Sequence, residues 1–184
     1  YKLTRSILKE LVTSDCYLSI STKSKLILRD LDLLKQLKHL SVSMSINTLD
    51  EEFRKDMDQA STIDERMDTL SELHHHGIHT VLFMSPIFPF ITEWKEIIDK
   101  TKDYIDEYWF ENLNLRGQYK TSIMQYIKNK YPMYYDEYVE IFIKNKKEYW
   151  IRLANEMNEY CEKNGIKYTN YFYHEKLVKN KKKE

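Results

Sequence analysis

Four short runs of apolar or alternating residues recur along the first two thirds of the chain, each separated from the next by a stretch with helical spacing. Residues 16–22 (CYLSIST), 40–47 (LSVSMSIN), 78–84 (IHTVLFM) and 108–116 (YWFENLNLR) read as strands. A helix over 2–14 precedes them, with Leu3, Ile7, Leu8 and Leu11 on one side. Between the first two strands, 25–38 carries Leu26, Leu33, Leu34 and Leu37 at helical spacing. A short acidic helix over 50–58 and a firmer one over 61–76 follow; in the second, Thr62 with Glu65 forms a capping box and Gly77 sits at the C-cap. The segment 84–93 (MSPIFPFITE) is punctuated by proline and reads as a loop, and 93–104 is a helix. Strands alternating with helices at intervals of roughly 25 to 35 residues make βαβ units and hence a parallel sheet. The class is α/β. Beyond 118 the pattern is helical over 118–130, 133–145 and 146–164, with no further strand expected and a solvated charged tail, KNKKKE, at 179–184. The expected organisation is a βα unit over 1–130 followed by a helical C-terminal extension over 131–184.

Composition removes several function classes. The 184 residues carry 29 Lys plus Arg and 29 Asp plus Glu, a formal net charge of zero, so attraction to nucleic acid or an anionic membrane is not written into the whole chain. With only 3 glycines, at 77, 117 and 165, neither a Walker A loop nor a GxGxxG turn is present. The 2 cysteines, Cys16 and Cys161, do not by themselves make a four-ligand zinc site or hold an iron–sulfur cluster. No apolar run approaches the roughly 18 residues of a membrane span, and the N-terminus has no signal-peptide core, which leads to a cytoplasmic reading.

In parallel βα architectures ligands gather at the C-terminal ends of the strands, where the βα loops converge. All four ends are polar: Ser21, Thr22 and Lys23; Ser45, Asn47 and Thr48; Ser85 and Pro86; Asn112, Asn114 and Arg116. Ser41, Ser43, Ser45 and Asn47 share one face of their strand, and Asn112, Asn114 and Arg116 share one face of theirs, with Glu111 on the opposite parity. Such a stripe is either satisfied by neighbouring side chains and water or aimed at a polar ligand, because an unpaired buried amide or hydroxyl costs about 1 to 3 kcal/mol. We read it as a ligand site, with Lys23 and Arg116 available to an anion. No nucleophile with its base stands at these ends, so the ligand carries the chemistry.

Other eye-catching residues have plainer readings. His74, His75 and His76 point about 100° apart on a helix and do not share one metal; they suit the negative end of the helix dipole. The aromatic set Tyr131, Tyr134, Tyr135, Tyr138, Tyr149 and Trp150 is spaced for packing rather than for stacking on bases. Cys16 lies at the wrong end of its strand for a site.

The ordered strings TKSKLILRDLDLL (22–34), SVSMSINTLDEEFRKDMD (41–58), TIDERMDTLSELHHHGIHT (62–80), MSPIFPFITE (84–93) and ENLNLRG (111–117) resemble segments of radical S-adenosylmethionine (SAM) proteins of the spore photoproduct lyase-like group. The resemblance covers about residues 1–130. It implies a partial (β/α) TIM-like barrel of six units, of which this chain supplies strands three to six. It also implies that a [4Fe–4S] cluster is held by a CxxxCxxC segment upstream of this chain, so that the chain alone is inactive. In such enzymes SAM is reductively cleaved to a 5′-deoxyadenosyl radical that attacks a substrate, here unknown. Carried over by position, Lys23 pairs with the SAM carboxylate, Ser45 and Asn47 contact its methionine part or ribose, and Ser85 and Ile87 pass its adenine. Asn112, Asn114 and Arg116 face the substrate. The family's PxxPG turn reads Pro86-Ile87-Phe88-Pro89-Phe90, with its glycine replaced. If the first strand here is an unpaired edge, self-association through it follows. The competing reading is a non-catalytic nucleotide-binding or protein-interaction module on a half-barrel.

Overall fold

The computed structural model describes residues 2–172; the charged tail at 179–184 lies outside the described residues. Helix α1 (Lys2–Leu11) leads to strand β1 (Leu18–Thr22), and a 3-10 turn (Lys25–Asp30) runs into the single-turn helix α2 (Leu31–Leu34). Strand β2 (Leu40–Ser45), helices α3 (Glu51–Met57) and α4 (Ile63–His75), strand β3 (His79–Ile87), helix α5 (Trp94–Thr101) and strand β4 (Glu107–Asn112) follow. The remainder is helix α6 (Gly117–Lys130), a 3-10 turn (Pro132–Tyr134), helix α7 (Tyr135–Tyr138), a π turn (Val139–Ile143), helix α8 (Glu148–Lys163) and strand β5 (Tyr168–Asn170).

All five strands are parallel and lie in the order β1-β2-β3-β4-β5. A strictly sequential parallel order is that of an open slice of a βα barrel, whereas a doubly wound sheet reverses direction at a switch point. The α/β expectation and the partial barrel are therefore what the chain adopts. Two corrections concern strand ends. The last strand was missed: Tyr168–Asn170 pairs with Tyr108–Phe110, and three residues are too few to display an alternation. Strand β3 also runs through Ser85, Pro86 and Ile87, which the proline pattern had assigned to a loop, with a register irregularity between Met84 and Ile87.

Period-2 alternation decides which face is covered. Val42, Met44, Leu82, Met84, Tyr108 and Phe110 are each no more than 1% exposed and meet the apolar stripes of the helices. Those stripes are Leu8 of α1, Leu33 and Leu34 of α2, Leu70 and Leu73 of α4, Ile97 and Ile98 of α5, and Met157 and Cys161 of α8. Each such side chain contributes about 1.5 to 3 kcal/mol by leaving water. Helix α8 and Phe172 belong to the same core as the sheet. The opposite, inner face presents Ser19, Ser21, Ser41, Ser43 and Ser45 from the first two strands. It continues through Phe83 and Ser85 of β3 and Trp109 and Glu111 of β4, all half-buried.

The local signals are realised in detail. Both halves of the Thr62–Glu65 capping box form, and Gly77 takes a φ of +73°, where a Cβ is disfavoured. The aromatic set packs: the Tyr138 hydroxyl, fully buried, donates to the Pro89 carbonyl at 3.1 Å, and Trp150 meets Phe142 and Phe172 edge-on.

Candidate functional site

Lys23 stands just past β1, and its Nζ lies 3.2 Å from Asp58 Oδ2. Asp58, at the end of α3, is held from the other side by Arg66 Nη2 at 2.5 Å. Arg66 projects from α4 at a core-facing position, in step with Ile63, Leu70 and Leu73, and is 1% exposed. Burial of a guanidinium there is tolerated because every arm is used: Nε donates to the Ser61 carbonyl at 2.8 Å and Nη1 to the Ser45 carbonyl at 3.0 Å. Arg54, also buried, donates to Glu51 at 2.8 Å and to the carbonyls of Asp58 and Ala60 at 3.1 Å each. Burial works against the Asp58 carboxylate, yet hydrogen bonds from Arg66 and the Ala60 amide, with Lys23 beyond, hold its pKa below the usual 3.8. Three cations, Lys23, Arg54 and Arg66, thus face three carboxylates, Glu51, Asp58 and Asp56, the last of which lines the same cleft as Lys23. The most exposed of the cations is Lys23, whose side chain is 41% accessible. Its ammonium is therefore the cation that an anion entering from solvent meets first.

Asn47, past the end of β2, donates from Nδ2 to the Pro86 carbonyl at 2.8 Å, while its own carbonyl accepts from Thr92 Oγ1 at 2.7 Å. Thr92 Oγ1 in turn accepts from the Phe88 amide at 3.0 Å, so the loop after β3 is tied to the end of β2. Lys23, Asn47, Arg54, Asp58 and Pro86 line one cleft of about 310 Å³ together with Asp56, whose carboxylate accepts from the Tyr126 hydroxyl at 2.8 Å. Ser45 and Ser85 lie on the adjoining inner face. Ile87 is 1% exposed, so its side chain is part of the core and a ligand there meets backbone.

The register of β4 differs from the sequence reading. Glu107 and Trp109 pair with Val81 and Phe83, and Ser85 Oγ donates to Glu111 Oε2, so Glu111 belongs to the inner face. Asn112 pairs with Ile87 and shares the parity of Tyr108 and Phe110, which face the helices. With Asn114 and Arg116 it borders a separate cleft beside α6 and α8. Tyr108 and Phe110 were the signal that would have set this parity, since they are the residues of β4 most suited to a core. Arg66 was the other residue missed; an arginine at an inward helical position marks it.

The loop of the replaced glycine keeps a left-handed backbone. Phe90 has φ +64°, and its ring stacks on Tyr134 at 5.3 Å and leans on Tyr149 at 4.9 Å, while its amide donates to Tyr149 Oη at 3.4 Å. Elsewhere on the inner face, Ser21 and Ser43 hydroxyls bond each other at 2.6 Å, but the buried Ser41 hydroxyl has no partner among the described residues. A second cleft, about 490 Å³, opens at the opposite ends of β1–β3 around Tyr17, His39, Ser41 and His79, away from the convergent βα loops.

The donor chemistry suits S-adenosylmethionine: an ammonium for its carboxylate, an amide and hydroxyls for its polar parts, and a backbone edge for its adenine. It does not suit an iron–sulfur cluster. Among the described residues no group of three or more His, Cys, Asp or Glu side chains is arranged for a metal; Cys16 is exposed and Cys161 buried. Nor does any described helix have the length and apolarity to cross a membrane.

An open parallel βα sheet with a charged, polar cleft at its strand ends defines the class of partial βα barrels. The family model of the radical SAM superfamily matches residues 1–101, and the chain belongs to that superfamily. An uncharacterized protein of Methanocaldococcus jannaschii is 38% identical over 137 residues, which is 74% of this chain and 52% of the relative. Among solved structures, Streptococcus suis SuiB bound to S-adenosylmethionine superposes with a TM-score of 0.63 at 15% identity, covering 90% of this chain and 35% of SuiB. Spore photoproduct lyase complexed with dinucleoside spore photoproduct matches at a TM-score of 0.50 and 17% identity, over 70% of this chain and 39% of the lyase. The chain spans about half the length of the curated relative and about a third of SuiB.

Proposed function

We propose that this chain forms the SAM-facing wall of a radical SAM enzyme whose [4Fe–4S] cluster is ligated by residues outside it. The observation that carries the reading is the juxtaposition of Lys23, the exposed cation, and Asn47 in one cleft at the strand ends of a radical SAM fold. Lys23 pairs with the methionine carboxylate, sharing its ammonium with Asp58; Arg66 fixes Asp58 and the Ser45 carbonyl and so holds both in place. Asn47 and the hydroxyl of Ser45 serve the ribose or methionine polar groups, and the backbone of Ser85 and Ile87 borders the adenine. Bound SAM supplies a carbon–sulfur bond whose reductive cleavage starts radical chemistry on the substrate. Asn112, Asn114 and Arg116 border the substrate from the adjoining cleft.

The test is 5′-deoxyadenosine formation by the full-length protein carrying this chain, reconstituted with iron and sulfide and reduced with dithionite. Product that disappears when cysteines of the cluster segment are replaced is expected; a reconstituted, cluster-bearing protein that forms none overturns the reading. Self-association through the β1 edge belongs to the same proposal. It is favoured by exposed Leu3, Ile7 and Tyr17 near that edge, and a strictly monomeric sedimentation profile at high concentration counts against it.

A further inference from the structure

The cleft beside β4, where the proposed function sets the substrate, has a built character of its own. It measures about 470 Å³, within the roughly 300 to 1,000 Å³ range of small-molecule sites. Its floor is apolar: Leu113, Phe142, Trp150 and Phe172 are each no more than 8% exposed. Among the described residues its rim carries Arg116, Lys120, Lys146 and Lys147 and one lining carboxylate, Glu111, which accepts from the Ser85 hydroxyl. In a chain of zero net charge that is a concentrated cationic rim.

Among the described residues, two of these charges have no carboxylate partner. Lys120 Nζ is held on the neutral Phe142 carbonyl at 2.6 Å, which fixes its position and leaves its charge intact. Lys147 has no carboxylate within ion-pair distance among the described residues, whereas Lys146 is engaged by Glu140. The rim is also shaped. The π turn Val139–Ile143 ends with the Lys144 amide on the Val139 carbonyl at 3.0 Å, and Asn145 takes a left-handed φ of +55°. The Lys146 amide closes this turn on the Glu140 carbonyl at 3.1 Å. Backbone geometry of this kind, a π turn followed by a left-handed residue, sets Lys146 and Lys147 at the mouth of the cleft.

From this complementarity we infer that the cleft binds a phosphate monoester carried on a flat apolar body, the phosphate between Lys120 and Lys147 and the body on the Phe142–Trp150–Phe172 floor. As the substrate class, it rests on the radical SAM reading; as a binding site, it stands alone. Phosphate is favoured over carboxylate because its second charge matches two uncancelled ammonium groups.

Calorimetric titration of the 184-residue chain with 1-naphthyl phosphate, 1-naphthoate, 1-naphthol and inorganic phosphate tests it. The phosphate ester is expected to bind at least roughly tenfold tighter than each of the other three, the weight of one charge-assisted contact. Lys147→Met, at an exposed position, is expected to weaken it by a similar factor and to lower its salt dependence, and Lys120→Met to do the same with unchanged far-UV dichroism. Equal binding of naphthoate, equal binding of naphthol, or affinity untouched by Lys147→Met overturns the proposal. Lys23→Ala is expected to leave naphthyl phosphate affinity unchanged; a loss there overturns the placement in this cleft. Failure of SAM binding with naphthyl phosphate binding retained speaks against the proposed function alone.

Discussion

Arg66 and Phe90 show how much single positions decide here. Arg66 ties Ser61, Ser45 and Asp58 together from inside the protein, so Arg66→Leu strands two carbonyls and a partly buried carboxylate. A loss of about 3 to 5 kcal/mol is expected in urea unfolding, the usual cost of removing one member of a buried charged network; a loss below about 1 kcal/mol would show that water replaces it. Phe90 occupies left-handed backbone that normally costs a side chain roughly 1 to 2 kcal/mol. Phe90→Ala and Phe90→Gly both lose the contacts with Tyr134 and Tyr149, but only glycine relaxes the backbone. Phe90→Gly is therefore expected to be the more stable of the two variants by about 1 kcal/mol, the reverse of the order inside a helix or strand. Equal stabilities would mean the loop readjusts in both.

At the scale of elements, alternation and capping residues placed β1, β2 and α4 to within two residues at each end, because each carries a dense local signal, and located β3 and β4, which end at Ile87 and Asn112 rather than at 84 and 116. What stayed hidden was set by tertiary pairing. Tyr168–Asn170 becomes a strand only because Phe110 and its neighbours offer an edge, and the parity of β4 is fixed by which aromatics the helix layer can bury. The same holds for α8, whose polar residues disguised its docking into the sheet's core through Trp150, Met157 and Cys161. Burial pushes the Cys161 thiol up to about 11. Iodoacetamide at pH 8 is expected to modify exposed Cys16 in the folded protein and Cys161 only after denaturation. Equal rates for the two thiols in the native protein would mean that α8 is not docked.

For the whole molecule, the sequence made the fold class and the end of the sheet to examine legible, and left the site half-drawn. Lys23 and Asn47 do converge, but Glu111 replaces Asn112 on the inner face, a consequence of register that no local pattern records. Zero net charge conceals one buried and two partly buried carboxylates with lowered pKa values. Burial opposes ionisation of Asp30, Asp58 and Asp106, but Arg29 and Arg5, then Arg66, then the Thr80 amide and hydroxyl hold each below 3.8 in the folded state. Unfolded, they return to about 3.9 and take up protons first as pH falls. Their contribution is therefore complete above that value and lost below it. The urea midpoint is expected to be flat from pH 7 to about pH 5 and to drop between about pH 4 and pH 3; a midpoint that holds or rises there contradicts these pairings.

The central claim is that SAM is held at the C-terminal ends of this sheet. Its most direct test is calorimetric titration of SAM into the full-length protein, comparing Lys23→Ala with Lys167→Ala, a lysine that pairs with Glu107 at the sheet's opposite end. Roughly tenfold or greater weakening is expected for Lys23→Ala and wild-type affinity for Lys167→Ala. Wild-type affinity in the Lys23 variant, or equal weakening in both, would contradict it.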